Sequence, residues 1–181
     1  AMNVAYGEAE KRSFLKVLLV SFTFTFGAIL MLLLLILVML VLPVVINWIH
    51  LPGSSGFWLQ LASSAVLAVT ALLALSALYR WGPSRESARW RWITPGAVVA
   101  LVAAFAASSL FGWYVTNFGA YNRTYGSLGA IIGFMTWIWI MTAFIVTGAE
   151  LNAEIEHQTA RDSTTGPERP LGERGAMVAD R

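Results

Sequence analysis

The chain has 181 residues, of which 57% are hydrophobic and 12% are charged, and its formal net charge is +2 at pH 7. Soluble domains carry about a quarter charged residues, so this composition excludes an ordinary soluble protein. The small net charge gives no indication of a nucleic-acid partner, and the lack of cysteine excludes disulfides and cysteine-ligated metals. Because the chain begins at Ala1 and no cleavage site follows its first apolar run, we expect a fragment or a processed product.

Four apolar runs dominate the chain, over residues 14–42, 57–79, 93–114 and 127–148, and Lys16 is the one charged residue within them. Each is at least as long as the roughly 20 residues that a helix needs to cross a bilayer. The pattern predicts an all-α, polytopic helical membrane protein with four transmembrane helices and a membrane domain over residues 1–157. Residues 158–181 are rich in Ser, Thr, Gly, Pro and mixed charges, which predicts a disordered cytoplasmic tail.

The basic residues predict how these helices are oriented. Of the 12 lysines and arginines, all but Arg123 lie before or at the start of the first run, between the second and third, or after the fourth. Positively charged loops stay in the cytoplasm, so we expect both termini and the middle loop to be cytoplasmic.

The first run is longer than a bilayer requires. At 1.5 Å per residue it would extend for about 43 Å, against roughly 30 Å of hydrocarbon. We expect Pro43 to bend or end this helix and residues 44–50 to form an interfacial turn anchored by Trp48. His50 could transfer protons, but a solvated histidine explains it better.

The middle loop interleaves arginines with tryptophans over residues 80–92. Such a segment can bind single-stranded nucleic acid through phosphate contacts and stacking. A lipid interface explains it better, because tryptophans favour the headgroup level and arginines there contact anionic lipid. The candidate lipid-headgroup contacts are Arg80, Arg85, Arg89 and Arg91.

Small residues recur every four positions along the third run. They form a ridge along which a second helix can approach closely, and a GxxxG step on the fourth run predicts that these two helices pack together. Packing within one chain is favoured over a dimer interface. Small residues can also line a cavity, and the sequence does not separate these alternatives. The candidate packing residues are Gly96, Ala100, Ala104, Ser108, Gly112, Gly129 and Gly133.

Ionisable groups at mid-span would indicate a proton or ion pathway, but the runs contain only hydroxyl groups there, which can bond back to their own helix. After the fourth run, Glu150, Glu154 and His157 share one side of a predicted amphipathic extension. Glu154 and His157 have the spacing of a dimetal carboxylate site, yet such a site needs two pairs, so no metal and no cofactor is expected. Glu150 is interpreted as a buried anchor for an arginine of the middle loop.

Several short motifs resemble one known family. Asn3 to Glu8, Arg89 to Trp92 followed by Pro95 to Ala97, Tyr125 to Gly129, and Gly148 to Glu154 are similar in order and spacing to the YihY/BrkB family of bacterial inner-membrane proteins. The resemblance covers roughly residues 1–156. It implies a six-span helical protein of which this chain would hold the last four spans.

The resemblance implies little about activity. The family has carried the label of a transfer-RNA-processing ribonuclease, but the chain offers no clustered acids, histidine pair or metal-ligand set for that chemistry. We therefore expect no enzyme. The favoured hypothesis is a transporter or lipid-handling permease of the cell envelope; the alternative is a non-catalytic scaffold or envelope-integrity factor, with a ribonuclease a distant third.

The candidate functional residues flank the fourth run, where hydrogen-bonding groups could bind a phosphate or carboxylate headgroup. They are Tyr121, Asn122, Arg123, Tyr125, Glu150 and Asn152. The expected partners are membrane lipids, the missing N-terminal spans of the same protein and a second copy of the chain, with no nucleic acid.

Overall fold

The computed structural model describes residues 1–49, 53–85, 94–117, 127–158, 170, 172–173 and 178, and these ranges contain helices and no strand. The all-α prediction is therefore confirmed. The helices are α1 (Met2–Ala5), α2 (Phe14–Ile36), α3 (Leu42–Ile49), α4 (Gly53–Trp81), α5 (Pro95–Asn117) and α6 (Ser127–His157).

Within these ranges, four helical segments are long and apolar enough to cross a membrane, which confirms the predicted number of spans. They cover Phe14–Ile49, Gly56–Trp81, Pro95–Asn117 and Leu128–His157. Large apolar side chains such as Phe22 and Trp139 project outward from them. This exposure suits a lipid environment, in which the hydrogen-bonded backbone lies inside each helix and apolar side chains face the acyl chains.

The first span continues through Pro43, so the prediction that residues 44–50 form a turn is wrong for the described part, through Ile49. A π-helical segment, Leu37–Val41, ends two residues before the proline. Proline lacks an N–H and its ring clashes with the carbonyl four residues earlier, and a wider turn at that position relieves the conflict. His50 lies outside the described residues.

The other helices begin and end close to their predicted limits, except that α6 runs without a break from the fourth span to His157. The predicted amphipathic extension is therefore part of the same helix. Most of residues 158–181 lie outside the described ranges, and the disordered tail stays a prediction.

Neighbouring spans run in alternating directions. The starts of α2 and α5 and the ends of α4 and α6 lie together, because Arg12 contacts Trp81, Thr94 contacts Ser76 and Asn152 contacts Gly96. We call this the basic end of the bundle, since Lys11, Arg12, Lys16, Arg80 and Arg85 lie there. The α5–α6 pair is the most extensive helix contact, and α2 packs along α4.

Candidate functional site

The segment before α2 docks onto the turn that follows α4. The Ser84 N–H donates to Asn3 Oδ1 at 2.8 Å, and the Lys11 N–H donates to Ser84 Oγ at 3.2 Å. Ser84 is buried by these contacts. Residues far apart in sequence thus hold the N-terminal segment against the basic end.

Arg12 caps the end of α4. Its guanidinium donates to the carbonyl oxygens of Trp81 at 3.1 Å and Gly82 at 2.9 Å, which lie at the negative end of the helix. Glu10 holds the guanidinium in place through bonds of 2.8 and 2.9 Å. Hydrogen bonds from Arg12 and Asn3 hold the pKa of Glu10 well below its usual range, and Glu10 in turn raises the pKa of Arg12.

Tyr6 fills the centre of the basic end and is 2% exposed. The guanidinium carbon of Arg85 lies 4.7 Å from its ring centroid, and Arg85 also forms an ion pair with Glu156 of α6. Burial raises the pKa of Tyr6 to about 12, although Arg85 and a hydrogen bond with Asn152 act in the opposite direction. Tyr6 is therefore a neutral phenol that packs between α6 and the loop after α4.

Asn152 joins α6 to the first turn of α5. Its Oδ1 accepts from the Gly96 N–H at 2.8 Å, and its Nδ2 donates to Thr94 Oγ1 at 3.0 Å. Thr94 precedes Pro95 and also accepts from the Ala97 N–H at 3.3 Å, so it caps α5. Asn152, a candidate functional residue in the sequence, is placed here as a residue that positions a helix.

Two glycines bring the same helices into backbone contact. A Cβ on Gly96 would overlap the carbonyl oxygen of Gly148 and would lie 2.7 Å from Asn152 Cγ. The hydroxyl of Tyr79 donates to the Ile145 carbonyl at 2.8 Å and closes the contact from the side of α4. Only hydrogen atoms at these two positions allow the helices to approach this closely.

The remaining packing candidates lie in different surroundings. Ala100 is buried beside Gly148. Further along, Ser108 accepts from Trp137 Nε1 at 3.1 Å, and a Cβ on Gly133 would lie 3.6 Å from Phe111. Ala104 and Gly129 are half-buried, whereas a Cβ on Gly112 would have no other atom within 4 Å. Close packing of the ridge is thus concentrated at the basic end.

Glu150 is exposed, so its interpretation as a buried anchor is wrong. Glu156 pairs with Arg85 of the middle loop. At 100° per residue Glu150 and Glu156 differ by about 240° around α6, so they point in different directions. A pairing of Glu150 with Arg89 or Arg91 stays a prediction. The other candidates Tyr121, Asn122, Arg123 and Tyr125, and the arginines Arg89 and Arg91, lie outside the described residues.

A cavity of about 1670 Å³ lies between α2 and the group formed by α4, α5 and α6. Its walls are apolar and include Leu19 and Met31 of α2, Leu78 of α4 and Met141 of α6. Four cationic side chains line it at the basic end: Arg12, Lys16, Arg80 and Arg85. The cavity therefore combines a long apolar wall with one positively charged end.

Within the described ranges, no group of three or more His, Cys, Asp or Glu side chains is arranged to hold a metal ion. His157 Nδ1 and Glu154 Oε1 lie 3.9 Å apart on an exposed face of α6.

Sequence reasoning missed Tyr79, Ser84, Thr94 and Glu156. Thr94 had a signal, because a threonine followed by proline is typical of a helix start. Glu156 also had one: Gly148, Ala149 and Ala153 mark the packed face of α6, and Glu156 continues it. The contacts of Tyr79 and Ser84 link segments that are distant in the chain, so no sequence signal pointed to these two residues.

Four apolar spans, a tightly packed α5–α6 pair and a basic-ended cavity define a multi-pass helical membrane protein. The chain belongs to the virulence factor BrkB family, whose profile matches residues 1–172. This confirms the resemblance that the motifs indicated. The motifs that contain Tyr6, Gly96 and Asn152 meet at the basic end. Hydrogen bonds of Asn152 with Tyr6 and Gly96 join them.

One curated relative is the ribonuclease-like protein YfkH of Bacillus subtilis (strain 168), which is 35% identical over 161 residues. The match covers 84% of this chain and 57% of YfkH, so the chain spans little more than half the length of that relative. No solved structure matches.

Proposed function

We propose that this chain is part of a lipid-handling permease of the bacterial inner membrane that moves or holds an amphipathic anionic molecule of the cell envelope. The observation that carries the proposal is the cavity between α2 and α4–α6, with its apolar walls and its cationic end. An anionic amphiphile matches this cavity, because its apolar part suits the apolar walls and its charged part suits the cationic end.

The size of the cavity supports a lipid over a small metabolite. Its volume of about 1670 Å³ exceeds the roughly 300–1,000 Å³ typical of pockets for drug-sized molecules. Small residues create the space: Gly27 and Ala28 on α2 face Ala71, Ala74 and Ala77 on α4. Such a role requires no catalytic carboxylate and no metal ion. The apolar walls bind the apolar part of the ligand, and the cations bind its charged part.

The second candidate function is a non-catalytic scaffold or envelope-integrity factor. The family description, virulence factor BrkB, suits this role as well as it suits a permease. The docked N-terminal segment, held by Asn3, Tyr6 and Arg12, also gives the basic end an ordered surface that a protein partner could recognise. The ribonuclease-like name belongs to YfkH, and the described part of this chain offers no metal-holding cluster for that activity.

Lipid movement by the reconstituted chain tests the proposal. We would measure transbilayer exchange of fluorescent phosphatidylglycerol in liposomes that contain the wild type, Gly27→Trp or Gly112→Trp. A Cβ at either glycine has open space, but only Gly27 lines the cavity. We expect exchange by the wild type and by Gly112→Trp, and loss of exchange in Gly27→Trp because the indole fills the cavity.

Two results would overturn the proposal: no exchange above protein-free liposomes with folded wild type, or equal exchange by both tryptophan variants. Circular dichroism and size-exclusion chromatography establish that each variant is folded. The scaffold function would be favoured if the liposomes showed no lipid exchange but retained a soluble envelope protein.

A further inference from the structure

We propose that Arg80 binds the phosphate of an anionic phospholipid whose acyl chains lie in the cavity between α2 and α4–α6. The inference rests on the proposed function, because it takes the cavity as a lipid site, and it adds the chemical class of the ligand and the residue that recognises it.

Arg80 differs from the other arginines of the cavity. Arg12 is paired with Glu10, and Arg85 is paired with Glu156. The Nε atoms of Arg80 and Arg85 are both buried without a hydrogen-bond partner, but among the described residues no carboxylate forms an ion pair with Arg80. Glu156 is the acidic group that interacts with Arg80 electrostatically, but its carboxylate is bonded to Arg85.

An Nε–H that is buried without an acceptor is unfavourable, because it has lost water and, among the described residues, gained no partner. A phosphate group corrects this, since its oxygens accept two parallel N–H bonds from the planar fork of an arginine. Lys16 lines the same cavity and adds a second positive charge on α2. The charge at this end of the cavity therefore complements a phosphodiester.

The position of Arg80 indicates a lipid phosphate. Arg80 lies in the last turn of α4, beside the exposed Trp81 that ends the span, which is the depth at which headgroups lie. Leu78, Leu75 and Ala71 precede it on α4 and line the cavity toward the bilayer centre, and Val20, Phe24 and Met31 line it on α2. A phosphate at Arg80 therefore leaves the acyl chains in continuous contact with apolar side chains.

Binding of defined lipids to the purified chain in neutral detergent tests this assignment. The probes are dioleoyl phosphatidylglycerol, dioleoyl phosphatidylcholine and inorganic phosphate, and the readouts are native mass spectrometry and the shift in thermal denaturation. The variants are Arg80→Gln, Arg80→Lys and Lys11→Gln. Lys11 is the matched control because its removal costs one positive charge at the same end, yet Lys11 does not line the cavity.

We expect the wild type to bind phosphatidylglycerol more tightly than phosphatidylcholine. Arg80→Gln should weaken phosphatidylglycerol binding about ten-fold, as expected for the loss of a charge-assisted hydrogen bond. Arg80→Lys should retain part of the affinity, and Lys11→Gln should bind like the wild type. If Arg80→Gln does not fold, Arg80→Lys carries the comparison, and unchanged binding by that variant would contradict bidentate recognition.

Equal phosphatidylglycerol binding by folded wild type and Arg80→Gln would overturn the assignment. Protection by inorganic phosphate equal to that by phosphatidylglycerol would also overturn it, since the site would then bind a free anion. The permease proposal fails separately: loss of binding in Arg80→Gln without any lipid exchange by the wild type leaves the headgroup site and removes the transport function.

Discussion

Gly96 at the start of α5 and Gly148 in α6 face each other with their backbones in contact. A Cβ on Gly148 would lie 2.6 Å from the Gly96 carbonyl oxygen and 2.5 Å from the Tyr79 hydroxyl. Neither helix can carry a side chain at this point without moving away from its partner. Because Tyr6, Asn152 and Glu156 are positioned by the same crossing, the geometry of the basic end depends on these two glycines.

Gly148→Ala should therefore destabilise the protein. The added methyl group meets backbone and a buried tyrosine on two sides, and overpacking of this kind costs about 1–3 kcal/mol of the free energy of unfolding. Thermal or denaturant unfolding in detergent micelles measures it. Gly112→Ala is the matched control, since a Cβ there has open space, and a loss of stability equal in both variants would contradict the close contact.

Asn152→Ala should expose the start of α5. It leaves the Gly96 N–H without its acceptor, and an unsatisfied buried donor costs about 1–3 kcal/mol. It also removes the bond from Asn152 Nδ2 to the Thr94 hydroxyl, which keeps its bond from the Ala97 N–H. We expect a lower unfolding midpoint and faster amide exchange at Gly96 and Ala97. Asn152→Asp keeps an acceptor for the Gly96 N–H, so its unfolding midpoint should fall less than that of Asn152→Ala. Asn117→Ala removes an exposed asparagine at the other end of α5 and serves as the control; a midpoint lowered as much there as in Asn152→Ala would be inconsistent with a specific role.

Stability should fall between pH 10 and pH 12 through Tyr6. The unfolded tyrosine has its ordinary pKa of 10.0, whereas burial raises the pKa of folded Tyr6 to about 12. The unfolded state therefore loses its proton first, so this stabilisation is fully present below pH 10 and is lost as the pH rises toward 12. Tyr6→Phe should show a shallower decrease of the denaturation midpoint over this window.

The control for that experiment is Tyr114→Phe, which changes a half-exposed tyrosine on α5 and leaves Tyr6 intact. It should keep the wild-type pH profile. A profile that is the same in the wild type and Tyr6→Phe would show that Tyr6 is not buried as a neutral phenol.

Labelling of single cysteines should place the basic end in the cytoplasm. The chain has no native cysteine, so Ser54→Cys, Asn122→Cys and Gln158→Cys each give one site. The clustering of lysines and arginines predicts that the first two react with an impermeant maleimide in intact cells. Gln158→Cys, at the end of α6, should react only after permeabilisation. The reverse pattern would invert the topology.

The sequence anticipated the residues that meet at the basic end without showing how they meet. Asn3 to Glu8 and Gly148 to Glu154 were singled out as motifs, and the structure joins them through Tyr6 and Asn152. Glu150 was expected to be buried and is exposed, whereas Glu156 pairs with Arg85, since helical spacing gives the relative directions of the two glutamates but not the rotation of α6 about its axis. Pro43 was expected to disturb the first helix, and the π-helical segment that accommodates it was not foreseen.

The sequence by itself determined the four spans, the charge asymmetry and the family, because each is a local property of the chain. A continuous run of about 20 apolar residues is the length that a helix needs to cross a bilayer, and a helix satisfies every backbone hydrogen bond within the run. The composition of each run therefore determines its secondary structure. Only the tertiary structure decided which faces meet, why Arg80 has no ion pair among the described residues and which side chains line the cavity. Those features depend on the rotation and approach of helices distant in sequence, which in lipid are set by side-chain packing and hydrogen bonds rather than by hydrophobicity.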